Sequence, residues 1–407
     1  MKKANLLFPA LLATLALVAC NPATSEKESS SKQEESSQNE SKPSESTNPV
    51  SSSTGGDTPV ESSGDPEPLP RLKTAHGTGA LFTEFEGYSA FDAKVFEEDG
   101  VRYLTYMSNP VQQMDSNAVY VRKGTKVDGK WVYGEKHLAV SPSESGWDKK
   151  ITAPTVVTGE FKNGATTYKY LMAYQGSAGN GDNTKNSIGF AVSNDMLGTW
   201  TKVGDAPILE CTSDSIYGYG SPELVNYDEH GGVILGYTWG EATLTCTAIQ
   251  KIDASDLTKI AVDPGYSQLP SKGLVDGAAT PIFANAGFAI GTSLYTVRDV
   301  YPLSSNAPGH STSIEVSKAS LNILTSAEEK WTPIKTISGT DTMDDDDPDS
   351  LGWDEVYSPS FVTNGLGAIL DTKKLEVVYT GQDEKGTTYT NDYRFSSFVC
   401  SYDVSLE

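Results

Sequence analysis

Two short stretches of the chain combine aromatic rings with groups that can form hydrogen bonds or transfer a proton. Glu355 stands between Trp353 and Tyr357, and Tyr217 and Tyr219 alternate with glycines. Flat rings pack on the C–H faces of sugars while neighbouring polar groups bond the hydroxyls. These aromatic side chains are compatible with carbohydrate contacts, with Glu355 as an acid at the mouth of the site. A solvated loop around Glu355 is favoured over that interpretation, and ordinary strand packing is the alternative for the two tyrosines.

Histidines and acidic runs give weaker signals. The four histidines are not closely paired, so the sequence predicts no zinc site. His310 could reach a central site from its loop, or belong to the surface. Asp344 to Asp347 could supply oxygen ligands to Ca²⁺, but the spacing fits no EF-hand loop and suits a solvated acidic loop. We therefore predict no cofactor and no metal.

One short phrase recurs five times along the chain. It consists of a small residue, usually proline, then any residue, then an apolar residue, at intervals of about 60 to 80 positions. A polar turn follows each copy, and then a run rich in Tyr, Val, Ile, Leu and Thr, which is typical of strands. The small residues that mark the copies are Ala93, Pro154, Pro222, Pro281 and Pro359.

These repeats indicate an all-β fold. Units of this size, each several strands long, are typical of the blades of a β-propeller, and five copies predict five blades. Proline loses no ladder hydrogen bond when it opens a strand, so each mark is predicted to begin an innermost strand. A β-sandwich, or two smaller all-β domains, would also contain many short strands.

The first 70 residues are predicted to lie outside the folded domain. Residues 1–19 combine two lysines with an apolar run, which is typical of a signal peptide. The sequence Leu17-Val18-Ala19-Cys20 resembles a bacterial lipobox, which implies a lipid on Cys20; the alternative is a plain secretory signal. Residues 20–70 are rich in Ser, Glu and Pro and predict a disordered tether. Residues 71–407 form the predicted propeller domain.

Charge and cysteine content narrow the classes of partner. The chain has 31 basic and 54 acidic residues, a net charge of −23, which argues against binding to nucleic acid or to anionic lipid through a basic patch. Beyond Cys20, Cys211, Cys246 and Cys400 would form one disulfide with a free thiol, or three free thiols. We expect a monomer in the cell envelope, lipid-anchored to the outer face of a bacterial membrane, with carbohydrate as its partner.

The repeat order resembles that of five-bladed propeller glycoside hydrolases, above all family 43. The segment 186–193 followed by Gly198-Thr199-Trp200 is similar to the end of that family's second blade. Ser221-Pro222-Glu223, with a polar turn after it, is similar to the opening of the third blade. Asp92 is similar to the first-blade opening, although Ala93 stands where the family usually has proline.

The resemblance implies three carboxylates on inner strands. In the family an Asp of blade one is the general base, an Asp of blade three tunes the pKa of the acid, and a Glu of blade four is the general acid. Asp92 matches the base. The other two positions fall on Ser221, which carries no charge and is kept as a substrate contact, and on Ala279. The candidates for the acid are then Asp276, Glu355 and Glu223.

Two functions follow from this departure. The first is a cell-surface glycoside hydrolase acting on polymers such as arabinan or xylan. The second is a non-catalytic carbohydrate-binding propeller that lost its acid and its pKa-tuning carboxylate. Asp92 favours the first function, and the missing carboxylates favour the second.

Overall fold

A computed structural model describes most of the C-terminal four-fifths of the chain. The described residues are 79–83, 90–108, 117–178, 184–241, 245–260, 267–275, 285–300, 311–343, 352–382 and 397–406. The predicted signal peptide, the predicted lipidation site at Cys20 and the predicted tether lie outside these ranges. Within them the chain is built from 20 strands and three short 3-10 helices at Leu257–Lys259, Leu321–Leu324 and Gly339–Thr342. None of these helices has the length and apolar character that crossing a membrane requires.

The strands form five antiparallel groups of four, which we name blades one to five. An opening strand, β1 (Ala80–Thr83), comes first. Blade one contains β2 (Phe91–Glu98), β3 (Val101–Ser108), β4 (Ala118–Val127) and β5 (Lys130–Val140). Blade two contains β6 (Lys150–Asn163), β7 (Thr166–Ser177), β8 (Asn186–Ser193) and β9 (Thr201–Lys202). Blade three contains β10 (Gly218–Asn226), β11 (Gly232–Gly240), β12 (Thr245–Asp253) and β13 (Ser267–Gln268). Blade four contains β14 (Ala286–Ile290), β15 (Leu294–Asp299), β16 (Ser313–Ala319) and β17 (Thr332–Ser338). Blade five contains β18 (Glu355–Asn364), β19 (Lys374–Gln382) and β20 (Ser397–Ser405), and β1 adds to its outer edge.

The first strands of the blades contact one another in a closed cycle. β2 contacts β6, β6 contacts β10, β10 contacts β14, β14 contacts β18, and β18 pairs in parallel with β2. Because β1 completes blade five before the chain enters blade one, strands from both ends of the domain close the ring. A closed cycle leaves no free edge at the centre, where unpaired backbone groups would be costly.

One apolar cluster lies between each pair of consecutive blades. Representative pairs are Val121 with Met172, Leu171 with Leu235, Ile234 with Phe288, Val316 with Val377, and Val378 with Leu104. Each sheet is therefore covered on both faces, which explains why β8 is buried along its whole length. The prediction of an all-β propeller is confirmed.

A left-handed residue lies within the first four residues of each innermost strand or, in blade four, directly before the strand. Its φ is 53° at Asp92, 49° at Ala153, 46° at Ser221, 48° at Asn285 and 49° at Ser358. In blades one, two, three and five it lies directly before the small residue of the repeated phrase, and a register shift follows. The β-bulge turns the side chain out of the regular strand alternation.

The fourth copy of the phrase is displaced from its predicted position. Pro281 lies outside the described residues, and β14 begins at Ala286, directly after the left-handed Asn285. The phrase in blade four is therefore Asn285-Ala286-Gly287-Phe288, with alanine in place of proline as in blade one. The sequence comparison selected Pro281 because proline is the commoner mark.

Candidate functional site

Polar side chains gather where the five innermost strands begin. Of the five left-handed residues, Asp92, Ser221, Asn285 and Ser358 are polar and partly exposed, whereas Ala153 is buried. Since the first strands surround the axis, these residues and their hydrogen-bond partners form one group at one end of it. We call this group the axial cluster.

Side chains of the second strands hold the left-handed residues in place. The backbone N–H of Ser221 donates to Gln175 Oε1 at 3.0 Å, and that of Asn285 donates to Thr238 Oγ1 at 2.9 Å. The N–H of Ser358 likewise donates to Asp299 Oδ1 at 2.9 Å. In each case the acceptor belongs to the preceding blade and is buried. These bonds join neighbouring blades and offset the strain of a positive φ.

The amide of Asn285 is oriented from both sides. Ser221 Oγ donates to Asn285 Oδ1 at 2.9 Å, and Asn285 Nδ2 donates to Asp299 Oδ2 at 3.1 Å. Sequence reasoning missed both Asn285 and Asp299, because the blade-four copy was placed at Pro281. Asn285 therefore holds the left-handed position of blade four that Asp92 and Ser221 hold in blades one and three, whereas Ala279 lies outside the described residues.

Asp92 carries the partly exposed carboxylate of the cluster. Thr152 Oγ1, from blade two, donates to Asp92 Oδ2. The other residues of the cluster supply neutral polar groups, apart from the buried Asp299. A carboxylate that is held by a hydrogen bond and remains partly accessible to water can act as a general base.

Tyr217 lies against the cluster, as the sequence suggested. Its hydroxyl donates to Gln175 Oε1 at 3.4 Å. Desolvation raises the pKa of Tyr217, and the charges of Asp92 and Asp299 raise it further, although a hydrogen bond with Ser221 opposes them. Gly220 makes this approach possible, since a Cβ there would lie 2.1 Å from the hydroxyl oxygen of Tyr217. The tyrosine therefore acts as a neutral hydrogen-bonding group.

An aromatic pair lies beside the cluster on blade three. Tyr219 and Trp239 stand opposite each other on β10 and β11, with ring centroids 4.6 Å apart, and both are partly exposed. Tyr219 is only two residues from Ser221. The sequence analysis did not select Trp239. Its place at the end of the strand-like run that follows β10 could have indicated it. The rings are tilted by 45° and pack against the apolar cluster between blades two and three, and their accessible parts can contact a sugar ring.

The aromatic group predicted on blade five is not a surface platform. Trp353 is 2% exposed and belongs to the apolar cluster between blades four and five. Tyr357 is also buried, with its hydroxyl 2.9 Å from Gln382 Oε1, and Glu355 is 2% exposed. Stacking on a sugar requires an accessible ring face, so the prediction for Trp353 and Tyr357 is corrected, and Glu355 is not an exposed acid at the mouth of the site.

Glu223 lies one layer deeper than the cluster. Its carboxylate is 2.5 Å from Lys94 Nζ and accepts a hydrogen bond from Ser360 Oγ at 3.4 Å. These three residues come two positions after Asp92, Ser221 and Ser358. Because they belong to blades one, three and five, their contacts cross the axis. Burial raises the pKa of Glu223, against the opposing effect of Lys94. The carboxylate is committed to this ion pair, which argues against Glu223 as the acid.

Several predicted residues fall outside the described ranges. They are Asp276, His310, Cys20 and the aspartates at 344–347. Within the described ranges no three His, Cys, Asp or Glu side chains come together in a way that could hold a metal ion. Cys211, Cys246 and Cys400 are all buried and form no disulfide, which selects three thiols.

Comparison with known proteins supports the fold assignment. No family model and no curated protein matches the sequence. A solved glycoside hydrolase matches with 13% identity over 80% of this chain and 90% of its own, with a TM-score of 0.50. A family 117 glycoside hydrolase from Zobellia galactanivorans matches with 12% identity, over 81% and 90%, and a TM-score of 0.48. An alpha-L-arabinofuranosidase from Podospora anserina, solved with cellotriose, matches with 9% identity, over 81% and 96%, and a TM-score of 0.47. The chain has the β-propeller fold found in glycoside hydrolases.

Proposed function

We propose that the protein is a glycoside hydrolase whose reaction takes place at the axial cluster, with Asp92 as the general base. The observation that carries this proposal is the partly exposed carboxylate of Asp92, held on a left-handed residue and bonded by Thr152, beside a group of neutral polar side chains. The fold supports the same class of function by analogy only, because one fold hosts many activities.

In the proposed reaction Asp92 takes a proton from a water molecule as the water oxygen attacks the anomeric carbon. The bond from that carbon to the leaving oxygen breaks, and a general acid gives that oxygen a proton. Ser221 and Asn285 bond sugar hydroxyls, and Tyr219 with Trp239 packs on a neighbouring ring. Asp276 is the remaining candidate for the acid, since Glu223 is paired with Lys94 and Glu355 is buried.

A carbohydrate-binding propeller without hydrolysis is the second candidate. It is favoured by the hydrogen bond between Ser221 and Asn285, because neither group can donate a proton to a leaving alkoxide at neutral pH. In that case Asp92 would bond a sugar hydroxyl. For either function, the lipid predicted on Cys20 would hold the domain at the outer face of a bacterial membrane.

The test is hydrolysis of arabinan, xylan, arabinoxylan and nitrophenyl glycosides, followed as new reducing ends or nitrophenol. Asp92→Asn should abolish release from every substrate, whereas Asp253→Asn, an exposed carboxylate in a blade-three turn, should not change it. Asp276→Asn should stop release from the polymers but spare nitrophenyl glycosides, whose leaving group needs no proton. Retention of a polymer in an affinity gel without any release would favour the binding module.

The aromatic pair gives the proposal a second test. Trp239→Ala should raise KM for oligosaccharides about tenfold and leave KM for a nitrophenyl monosaccharide unchanged, because only the longer ligand reaches the rings. Equal effects on both substrates would place the substrate elsewhere.

A further inference from the structure

Blade four contains a pair of opposite charges that is closed off from solvent. Arg298 of β15 lies directly opposite Glu315 of β16, and Arg298 Nη2 donates to Glu315 Oε2 at 2.8 Å. Both side chains are 0% exposed, and we call them the buried pair. Apolar side chains in place of such a pair often leave a protein equally stable, because the cost of taking two charges out of water offsets their attraction. Stability alone therefore does not explain the buried pair.

The buried pair binds main-chain atoms on either side of it. The N–H of Val275 donates to Glu315 Oε2 at 2.8 Å, and Arg298 Nη2 donates to the carbonyl oxygen of Val275 at 2.5 Å. Arg298 Nη1 donates to the carbonyl oxygen of Asp299 at 3.1 Å. Val275 lies outside the strands, after the last strand of blade three. These bonds therefore satisfy main-chain groups of Val275 for which a strand neighbour is absent.

The residue after Arg298 belongs to the axial cluster. Arg298 and Asp299 are consecutive on β15, so their side chains point to opposite faces of the blade. On its own face the Asp299 carboxylate accepts the N–H of Ser358 at Oδ1 and Asn285 Nδ2 at Oδ2. The buried pair thus holds the main chain of a residue whose carboxylate holds two members of the cluster.

The same two strands hold the chain on both sides of the connection from blade three to blade four. The described residues stop at Val275 and resume at Asn285. The buried pair bonds the first of these two residues, and Asp299 bonds the second. The position at which the chain enters blade four therefore depends on the end of β15.

We propose that Arg298 and Glu315 are positioning residues for sugar binding at the axial cluster. They hold the end of β15 in the place from which Asp299 orients the amide of Asn285, and that amide bonds a sugar hydroxyl. Neither residue of the pair touches the sugar, since both are buried. The proposal rests on the proposed function in one respect, that sugar binds at the axial cluster.

The guanidinium group suits this role because it reaches acceptors in two directions. One Nη atom serves Asp299, and the other serves Val275 and Glu315. Arg298→Lys keeps the positive charge opposite Glu315 but offers a single nitrogen, which cannot serve all of these acceptors. The variant therefore weakens the support of Asp299 without leaving Glu315 buried and unpaired.

The experiment measures KM and kcat of Arg298→Lys on oligosaccharides and nitrophenyl glycosides, or the dissociation constant if the wild type binds without hydrolysis. We expect KM to rise about fivefold for both kinds of substrate, as for one lost neutral hydrogen bond, with kcat nearly unchanged. The matched control is Arg102→Lys. Arg102 is also buried, but its bonds to Glu97 and Glu376 lie in blades one and five, so KM should stay at the wild-type value.

A double-mutant cycle separates positioning from a merely structural role. Asn285→Ala removes the amide itself, so Arg298→Lys should raise KM no further in that background. Ser317→Ala is a milder second variant, because it removes one hydrogen bond of 2.5 Å from Glu315 Oε1 and leaves both charges. It should raise KM by a smaller factor than Arg298→Lys. Circular dichroism checks that each variant is folded.

A crystal structure of Arg298→Lys tests the proposal without any ligand. It should show the Asn285 amide rotated away from Asp299 or in two conformers. The proposal is overturned by an unmoved Asn285 amide, by an equal rise in KM in Arg102→Lys, or by a rise that persists in the Asn285→Ala background. A wild type that neither binds nor cleaves a sugar would overturn the proposed function as well, whereas the three results above would leave that function standing.

Discussion

The ion pair between Lys94 and Glu223 beneath the axial cluster gives a quantitative test of how the centre of the propeller is held. The ammonium and carboxylate are 2.5 Å apart, and the two side chains are 14% and 7% exposed. Lys94→Met would leave Glu223 buried and charged without its cation. Removing one member of a buried pair typically costs about 3 to 5 kcal/mol, and we expect a loss of that size at pH 7.

The loss should depend on pH. Burial holds the pKa of Glu223 above its ordinary value even with Lys94 present, and removal of Lys94 raises it further. In the unfolded chain the same carboxyl group has a pKa of about 4.3. The penalty is therefore fully present above the folded-state pKa and shrinks as the pH falls through that pKa toward the unfolded value, because the folded protein then binds the proton. Acidification should bring Lys94→Met closer to wild type.

Guanidinium unfolding followed by tryptophan fluorescence measures these differences. Lys94→Met/Glu223→Gln, which removes both charges, should recover at least half of the loss. The control is Lys374→Met, which breaks an ion pair with Asp403 whose side chains are 47% and 57% exposed; such pairs are worth about 0 to 1 kcal/mol. The reasoning is refuted if Lys94→Met costs no more than Lys374→Met, or if its cost does not change between pH 8 and pH 5.

Two further predictions concern the packing around the site. Asp299→Asn should lower the free energy of unfolding by about 2 to 3 kcal/mol, because the new amide N–H faces a hydrogen-bond donor, either Ser358 N–H or Asn285 Nδ2. It should also weaken glycan binding, because Asn285 loses the group that orients its amide. Unchanged stability in denaturant unfolding would contradict this prediction. Gly189→Ala should lower the free energy of unfolding by about 1 to 3 kcal/mol, because the new Cβ would lie 2.3 Å from the Trp147 ring. The control is Gly134→Ala, whose Cβ would make an ordinary contact at 3.6 Å. Equal melting temperatures for the two variants would show that the Trp147 ring moves aside.

The fold was predictable because its signal is repeated. Pro154, Pro222 and Pro359 each lie in an inner strand, at its fifth residue and not at its first as predicted, and strand runs follow at the expected places. A repeat that is recognised by a single residue is harder to align in a copy where that residue is replaced by another type. Blade four lacks the proline, and the resulting error of five residues hid Asn285 as the residue at the centre.

The site was predictable only in part, because exposure depends on neighbouring blades. Asp92, Tyr217 and Ser221 lie in the axial cluster, where the sequence suggested a site. Trp353 looked equally suited to a sugar, but the next blade covers it. Nothing local in the sequence distinguishes these cases, since the covering residues come from strands far away along the chain.

The central claim is that carbohydrate binds at the axial cluster. The most direct measurement is a crystal structure of the Asp92→Asn variant soaked with an oligosaccharide that the protein retains or cleaves. The account predicts a sugar ring within hydrogen-bond distance of residue 92 and of Asn285, with the next ring on Tyr219 and Trp239. An oligosaccharide bound only elsewhere, with the axial cluster unoccupied at saturating ligand, would contradict it.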